Sequence, residues 1–206
     1  MPKNDPCNRQ PTPLLLVISG PSGVGKDMLI RRLRERGYPF YFVVTATSRP
    51  KRPGEVEGRD YFFVSKEEFE DMVARGELLE HALVYGDYKG VPKAQIREAL
   101  ASGLDVIMRV DVQGASTIRQ IAPEAVFVFL APASEEELVA RLKSRSSESP
   151  EHLRQRLQTA KWEMEQIGQF DYVIFNPDGE LDKAVDQLLA IITAEKCRVS
   201  PRKVVL

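Results

Sequence analysis

Cysteine and histidine are scarce in this chain: its 206 residues include two of each. The cysteines, Cys7 and Cys197, stand near opposite ends. That excludes a disulfide framework or a four-cysteine metal site and fits a reducing compartment. His81 and His152 are too few for a His-rich metal centre. No apolar run approaches the ~18 residues of a membrane span. Charge of one sign is also lacking, since 29 Lys plus Arg stand against 30 Asp plus Glu, a formal net charge of -1. This balance excludes attachment to nucleic acid or an anionic membrane by bulk charge, while leaving room for a local arginine cluster. Residues 1–13 hold neither a signal-peptide apolar core nor an Arg/Ser-rich amphipathic stretch, so they are expected to form a flexible tail. A cytoplasmic protein is the expectation, and a processed plastid or mitochondrial one is the alternative. What is present is ordinary: 43% hydrophobic and 29% charged residues, enough for one domain with a sizeable core.

The pattern along the chain alternates. LLLVIS (14–19) is a short apolar run closed by a Gly-rich turn, as a buried strand should be. Met28, Leu29, Ile30 and Leu33 then recur at helical spacing up to Gly37. YFVVTA (41–46) reads as a second strand, followed by the polar loop SRPKRPGEVEGRD. Residues 61–64 read as a strand, Ser65 and Glu68 as a capping box, 78–85 as a strand and 86–90 as a turn. Pro92 suits the first turn of a helix running to Ala101. Strands are expected at 104–111, 125–131 and 172–175, and helices after Asp111, from Ser134, up to about Ile167, and over 179–196. Such alternation predicts a three-layer α/β/α fold on a central parallel sheet. The core is expected over 14–46, 91–143 and 153–196, with a small inserted subdomain at 47–90 and a short lid at 144–152.

Gly20, Pro21, Ser22, Gly23, Val24, Gly25 and Lys26 match G-x4-G-K between a predicted strand and a predicted helix. Glycines let backbone N–H groups turn inward around a phosphate. The helix N-terminus adds partial positive charge, and Lys26 reaches the outer phosphates. The next residue should be Ser or Thr but is Asp27. A carboxylate there either binds Mg²⁺, directly or through water, or pairs with a cation of the protein. A phosphate loop does not name the acceptor. Arg49 and Arg52, followed by Tyr61 in a loop constrained by Gly and Pro, offer paired guanidinium forks suited to a phosphate monoester.

With the motifs GPSGVGK, TSRPKRPGEVEGRDYFFVS, ELLEHALVYGDYKG, VDVQGA and APASEEELVARLKSR in order, the chain resembles the guanylate kinase family from about Leu14 to Glu195. The resemblance implies transfer of a phosphoryl group from ATP to GMP with Mg²⁺, in a monomer or homodimer. It implies that the subdomain at 47–90 binds GMP. It places Arg49, Arg52 and Tyr61 at the GMP phosphate, Thr45 near guanine, and Glu80 as acceptor for guanine N1–H and the exocyclic amine. Adenine offers that carboxylate an acceptor instead, so such a site discriminates by roughly 10⁴-fold in favourable cases. Asp111 matches an acid serving the GMP and phosphate sites, and with Asp27 it is a candidate metal ligand. Gln113 completes its motif, and Gly90 belongs to the Glu80 motif. Arg141, Arg145 and Arg156 match lid and lid-flanking arginines, which with Lys26 and Arg49 would neutralise the transferring group.

Some positions depart from the family pattern. Lys89 stands where a tyrosine touches the GMP phosphate, Val91 where a hydroxyl lies near the base, Ser146-Ser147 where Gly-Thr is common, and Arg109 where the strand carries an acid. Asp27 and Arg109 together suggest a compensating pair. Two other functions share parts of the pattern. One is a peptide-binding scaffold module with a degraded phosphate loop. The other is a ribose bisphosphate kinase, which also carries Asp after the loop lysine.

Overall fold

The computed structural model describes residues 11–84, 86–144 and 150–206, without the side chains of 84, 144 and 150–153. Cys7, Arg145, the His152 side chain, most of the expected tail and most of the expected lid lie outside the described residues.

A five-stranded parallel sheet has the order β2-β7-β1-β8-β9, from Phe40–Phe42, Asp105–Arg109, Leu15–Ser19, Val126–Ala131 and Tyr172–Phe175. Strands β1 and β8 are buried along their whole length, which is why they read as continuous apolar runs. Alternate residues of β1 serve opposite faces. Leu16 and Ile18 pack with Leu29 and Leu33 of α1 (Lys26–Glu35) and with Val185, Leu188 and Ile192 of α7 (Leu181–Lys196). Leu15 and Val17 pack with Ile96 of α3 (Lys93–Ala101) and with Ala115 and Ile118 of α4 (Val112–Ile121). The three-layer α/β/α arrangement follows from this division. Helices α5 (Glu135–Ser144) and α6 (Pro150–Glu165) join through Leu138, Leu142, Leu157 and Ala160.

A second sheet of four strands has the order β4-β3-β6-β5, from Phe62–Phe63, Ala46–Thr47, Asp87–Pro92 and Leu78–Val84. Its own small core is Ala46, Phe69 and Leu78, with Phe69 of α2 (Lys66–Ala74) stacked on Tyr88 at 5.1 Å. The capping box is present: Ser65 Oγ accepts from Glu68 N–H, and Glu68 accepts from Ser65 N–H.

Two expectations are corrected. The run 41–46 is not one strand, because the chain leaves the large sheet after Phe42 and enters the small one at Ala46. Gln95 satisfies the backbone at this crossing, where its side-chain amide donates to Val44 O at 2.8 Å and accepts from Val44 N–H at 3.0 Å. Residues 86–90 are not a turn alone; 87–92 form the second arm of a hairpin. Gly90 is there for space, since a Cβ would lie 2.9 Å from the Phe69 ring and 2.8 Å from Leu78.

Candidate active site

The phosphate loop leaves β1 at the carboxyl end of the sheet, where open α/β sheets bind ligands. Gly25 caps α1 at φ 104, and Gly23 sits at φ 86, both left-handed conformations that favour glycine. A Cβ on Gly20 would collide with the Leu130 carbonyl of β8, so the loop is pressed onto the neighbouring strand.

Residues from three later elements hold the loop from outside. Asn176, just beyond β9 and 4% exposed, donates its amide N–H to Val24 O at 2.9 Å. Arg141 of α5 donates to Val24 O at 3.1 Å and to Asn176 O at 2.8 Å, and pairs with Glu137. Glu163 of α6, 6% exposed, accepts from Ser22 N–H at 3.1 Å, while Arg156 donates to Ser22 Oγ at 3.4 Å. Burial pushes the Glu163 carboxyl up. Lys26 turns back on its own loop, donating to Gly20 O at 2.5 Å and Pro21 O at 3.1 Å. Burial brings its ammonium down to about 8.

A cleft of about 350 Å³ opens between the two sheets. Ser22 through Asp27 form one wall, Thr45, Tyr61, Glu80 and Lys89 the other, and Arg109 and Asp111 the floor. Of the predicted phosphate loop, residues 22–27 line this cavity and Gly20 and Pro21 do not; of the predicted acceptor-side residues, Thr45, Tyr61, Glu80, Lys89 and Asp111 line it. Glu80 lies on β5 against the first turn of α4. A Cβ on Gly114 would sit 3.2 Å from Glu80 Oε2, so glycine makes room for the carboxylate. Burial and then the nearby Asp111 push Glu80 up to about 7. Asp111 caps α4, with Oδ1 accepting from Gly114 N–H at 2.8 Å. Lys89 is lowered, first by burial and then by Arg49.

Arg49, Arg52, Gly90 and Gln113 are not in the wall of this cavity. Arg49 lies just behind it, 4.9 Å from the Tyr61 ring centre and in a bidentate ion pair with Glu55. That pair holds Glu55 down at about 2, helped by the Arg52 N–H. Asp27 pairs with Arg109, the partner expected from their joint departure. On the far flank of the loop, a recess of about 130 Å³ is lined by Gly23, Gly25, Met28, Arg141, Asn176, Pro177, Asp178, Gly179 and Leu181.

Sequence reasoning missed Glu163, Asn176, Glu55 and the spacing role of Gly114. Signals for two of them existed. Asn176 follows the last strand at the same sheet end as the loop, and Glu163 lies seven residues after Arg156, on nearly the same helical face.

The guanylate kinase family model matches residues 12–195. A guanylate kinase 2 of Oryza sativa subsp. japonica, described as chloroplastic/mitochondrial, is 54% identical over 98% of this chain and 71% of its own length. A guanylate kinase of Nocardia farcinica is 47% identical over 89% of this chain and 95% of its own. The crystal structure of guanylate kinase from Anaplasma phagocytophilum superposes with a TM-score of 0.74 at 31% identity, over 92% of this chain and 89% of that one. With its phosphate loop and guanine-reading carboxylate candidate facing one cavity, and these relatives spanning nearly its whole length, the chain belongs to the guanylate kinase family.

Proposed function

We propose that the protein transfers the γ-phosphoryl group of ATP to GMP, giving ADP and GDP. The observation that carries this reading is the shared cavity, with Lys26 on one wall and Glu80 on the other. The loop 20–27 and Lys26 receive the ATP phosphates, and the recess beside Asn176 and Asp178 receives the base side of ATP. Glu80 and Thr45 read guanine, and Glu80 accepts from N1–H and the exocyclic amine once ionised. Arg49, Arg52, Tyr61 and Lys89 take the GMP phosphate. Arg141 and Arg156, with Arg145, complete the positive surround of the transferring group, whose transition state spreads negative charge over its equatorial oxygens. No general base is assigned, because an acceptor phosphate oxygen is already ionised near neutral pH.

Mg²⁺ fits the residues present. Asp27 and Asp111 bring two carboxylates into the cleft, Asp27 pairing with Arg109 through Oδ1 and Asp111 capping α4 through Oδ1, so the second oxygen of each is the one offered to a cation, and the described residues hold no cluster of three or more metal-binding side chains. Mg²⁺ characteristically needs only one or two carboxylates beside substrate phosphates and water. When bound it supplies charge neutralisation to the nucleotide phosphates. The segment 47–90 acts as the GMP-binding subdomain and 144–152 as a lid, and their closure excludes water from the reaction. Among the described residues no helix is long and apolar enough to cross a membrane. The rice relative, described as chloroplastic/mitochondrial, keeps a plastid or mitochondrial site beside a cytoplasmic one, and cell fractionation decides between them.

A coupled assay tests the reading by comparing GMP, dGMP, AMP and ribose 1,5-bisphosphate as acceptors with Mg-ATP. Turnover of GMP far above AMP is expected. Equal use of AMP, or preference for the ribose bisphosphate, overturns the assignment.

A further inference from the structure

Asp27 is the one residue of the phosphate loop whose presence ordinary loop chemistry does not explain. The position after the lysine calls for a neutral hydroxyl. A carboxylate there lies in the first turn of α1, among the N–H groups that bind anionic phosphate, and on its own it would repel the ligand. The fold supplies a partner. Parallel pairing of β1 with β7 sets Arg109 opposite Ile18, just before the loop begins. From there the Arg109 guanidinium reaches the start of α1 and pairs with Asp27. Asp111, two residues on, caps α4 through Oδ1 and makes no ion pair with Arg109 among the described residues. Among the described residues Asp27 is the only acid in ion-pair contact with Arg109.

The pair also occupies a defined place. Asp27 and Arg109 line the main cleft together with Lys26, Asp111 and Glu80. They also line the cleft behind it, which Arg31 and Arg34 of α1 and Glu55, Arg59 and Asp60 of the facing loop complete. The Arg109 side chain is one-third exposed at 33% and that of Asp27 two-thirds at 67%. Arg109 therefore stands on the protein side of the pair and Asp27 on the open side.

We propose that Arg109 is a positioning residue for the phosphate loop, acting through Asp27. It cancels the carboxylate's charge towards nucleotide phosphates and fixes its orientation, so that a loop carrying an acid in place of a hydroxyl still binds ATP. The proposal rests on the nucleotide-kinase reading of the cleft and adds to it a pair peculiar to this form of the loop.

The test measures binding of metal-free ATP in EDTA at 0.15 M salt, which screens exposed charges more than about 8 Å from the bound phosphates and leaves the Asp27 carboxylate, at the loop itself, effective. Calorimetry compares the wild type, Arg109→Met, Asp27→Ser and the double variant. Arg109→Met should weaken binding ~10-fold while Asp27 is present. In the Asp27→Ser background the same change should cost no more than about threefold, a coupling expected of residues in contact. The thermal midpoint of each ligand-free variant is read in parallel. The proposal is overturned if Arg109→Met costs the same factor in both backgrounds, because Arg109 then contacts phosphate directly. It is equally overturned if the two changes couple in the thermal midpoint but not in ATP binding, because the pair is then only structural. Failure of the wild type to bind ATP would instead refute the kinase reading itself.

Discussion

The two walls of the cleft are built by different means. On the donor side the loop is mainly a backbone device. It hangs from a wholly buried strand, its conformation is set by glycines, and Val24 inside it is fully buried. On the proposed acceptor side the sheet is small, with β3 and β4 only two residues long, and the proposed recognition rests on side chains from several short elements. A backbone site inherits its geometry from the core beneath it. A side-chain site must fix each group separately, through pairs such as Arg49–Glu55 and spacers such as Gly114. The two walls also titrate in opposite senses for the same reason. Without ligand, burial disfavours charge on both, so Lys26 comes down to about 8 and Glu80 goes up to about 7.

The largest expected effect breaks the donor wall. Lys26→Met removes the charge proposed to meet the outer phosphates, and kcat/KM should fall by ~10³-fold. The thermal midpoint should stay close to that of the wild type, because among the described residues the Lys26 ammonium hydrogen-bonds only to carbonyls of its own loop. A loss of less than tenfold would show that the arginines alone neutralise the transferring group.

Next in size is the acceptor wall. Glu80→Gln keeps the shape of the side chain and replaces one acceptor oxygen with a donor. The preference for GMP over AMP should fall by ~10²-fold or more in kcat/KM, with the change confined to the acceptor. An unchanged preference would move base recognition elsewhere in the cleft.

The pH profiles sharpen the contrast. A protonated Glu80 cannot accept from both guanine donors, so kcat/KM for GMP should rise with pH through about 7. A neutral Lys26 attracts phosphate poorly, so kcat/KM for ATP should fall as pH rises past about 8. Each limb approaches ~10-fold per pH unit, and because kcat/KM reports the free enzyme, these are the relevant groups. The acid limb near 7 should vanish in Glu80→Gln. Stability follows the same group. Between about 4.5 and 7 the folded form holds a proton that the unfolded chain has released, so stability should decline as pH rises through that window. At pH 8 the ligand-free Glu80→Gln protein should be more stable, on the order of 2 kcal/mol, by denaturant titration.

The same division explains what the sequence discloses. The donor wall is legible because its parts are contiguous: an apolar run, a glycine turn and a helical period within about twenty residues. Even the Asp27–Arg109 contact shows through, because two departures from a strict pattern compensate each other. The acceptor wall is less legible. The run 41–46 keeps one β-rich character while the chain passes between sheets, and Gln95, which makes the passage, lies far along the chain. Residues 86–90 look like a turn because Gly90 gives the usual signal of one, while its actual cause is the Phe69 ring packed against it. Glu163 reads as one more charge on an exposed helix, since its spacing from Arg156 gives only the shared face and not its partner, the amide of Ser22.

The smallest expected effect concerns how the acceptor wall aims its arginine. A guanidinium carries five N–H donors. In Arg49, Glu55 takes one from each terminal nitrogen, and Pro50 O takes the second of Nη1 at 2.9 Å. Among the described residues the Nε–H and the remaining Nη2–H have no carboxylate or carbonyl acceptor, only the neighbouring Tyr61 hydroxyl, and they form the other parallel edge of the fork, the arrangement that suits a phosphate. Glu55 holds the plane of the Arg49 guanidinium while the Tyr61 ring lies against it, and under the proposed function it acts on the acceptor through that residue. Glu55→Gln weakens that hold without altering the base contacts, so KM for GMP should rise about 5- to 10-fold with kcat little changed. Guanosine separates the roles, since it lacks the phosphate but keeps the base. Its inhibition constant should be the same in Glu55→Gln and wild type if Glu55 only aims Arg49. If guanosine binding weakens as much as GMP binding, Glu55 supports the whole wall, and the idea of an acceptor site assembled from independently fixed side chains has to be abandoned.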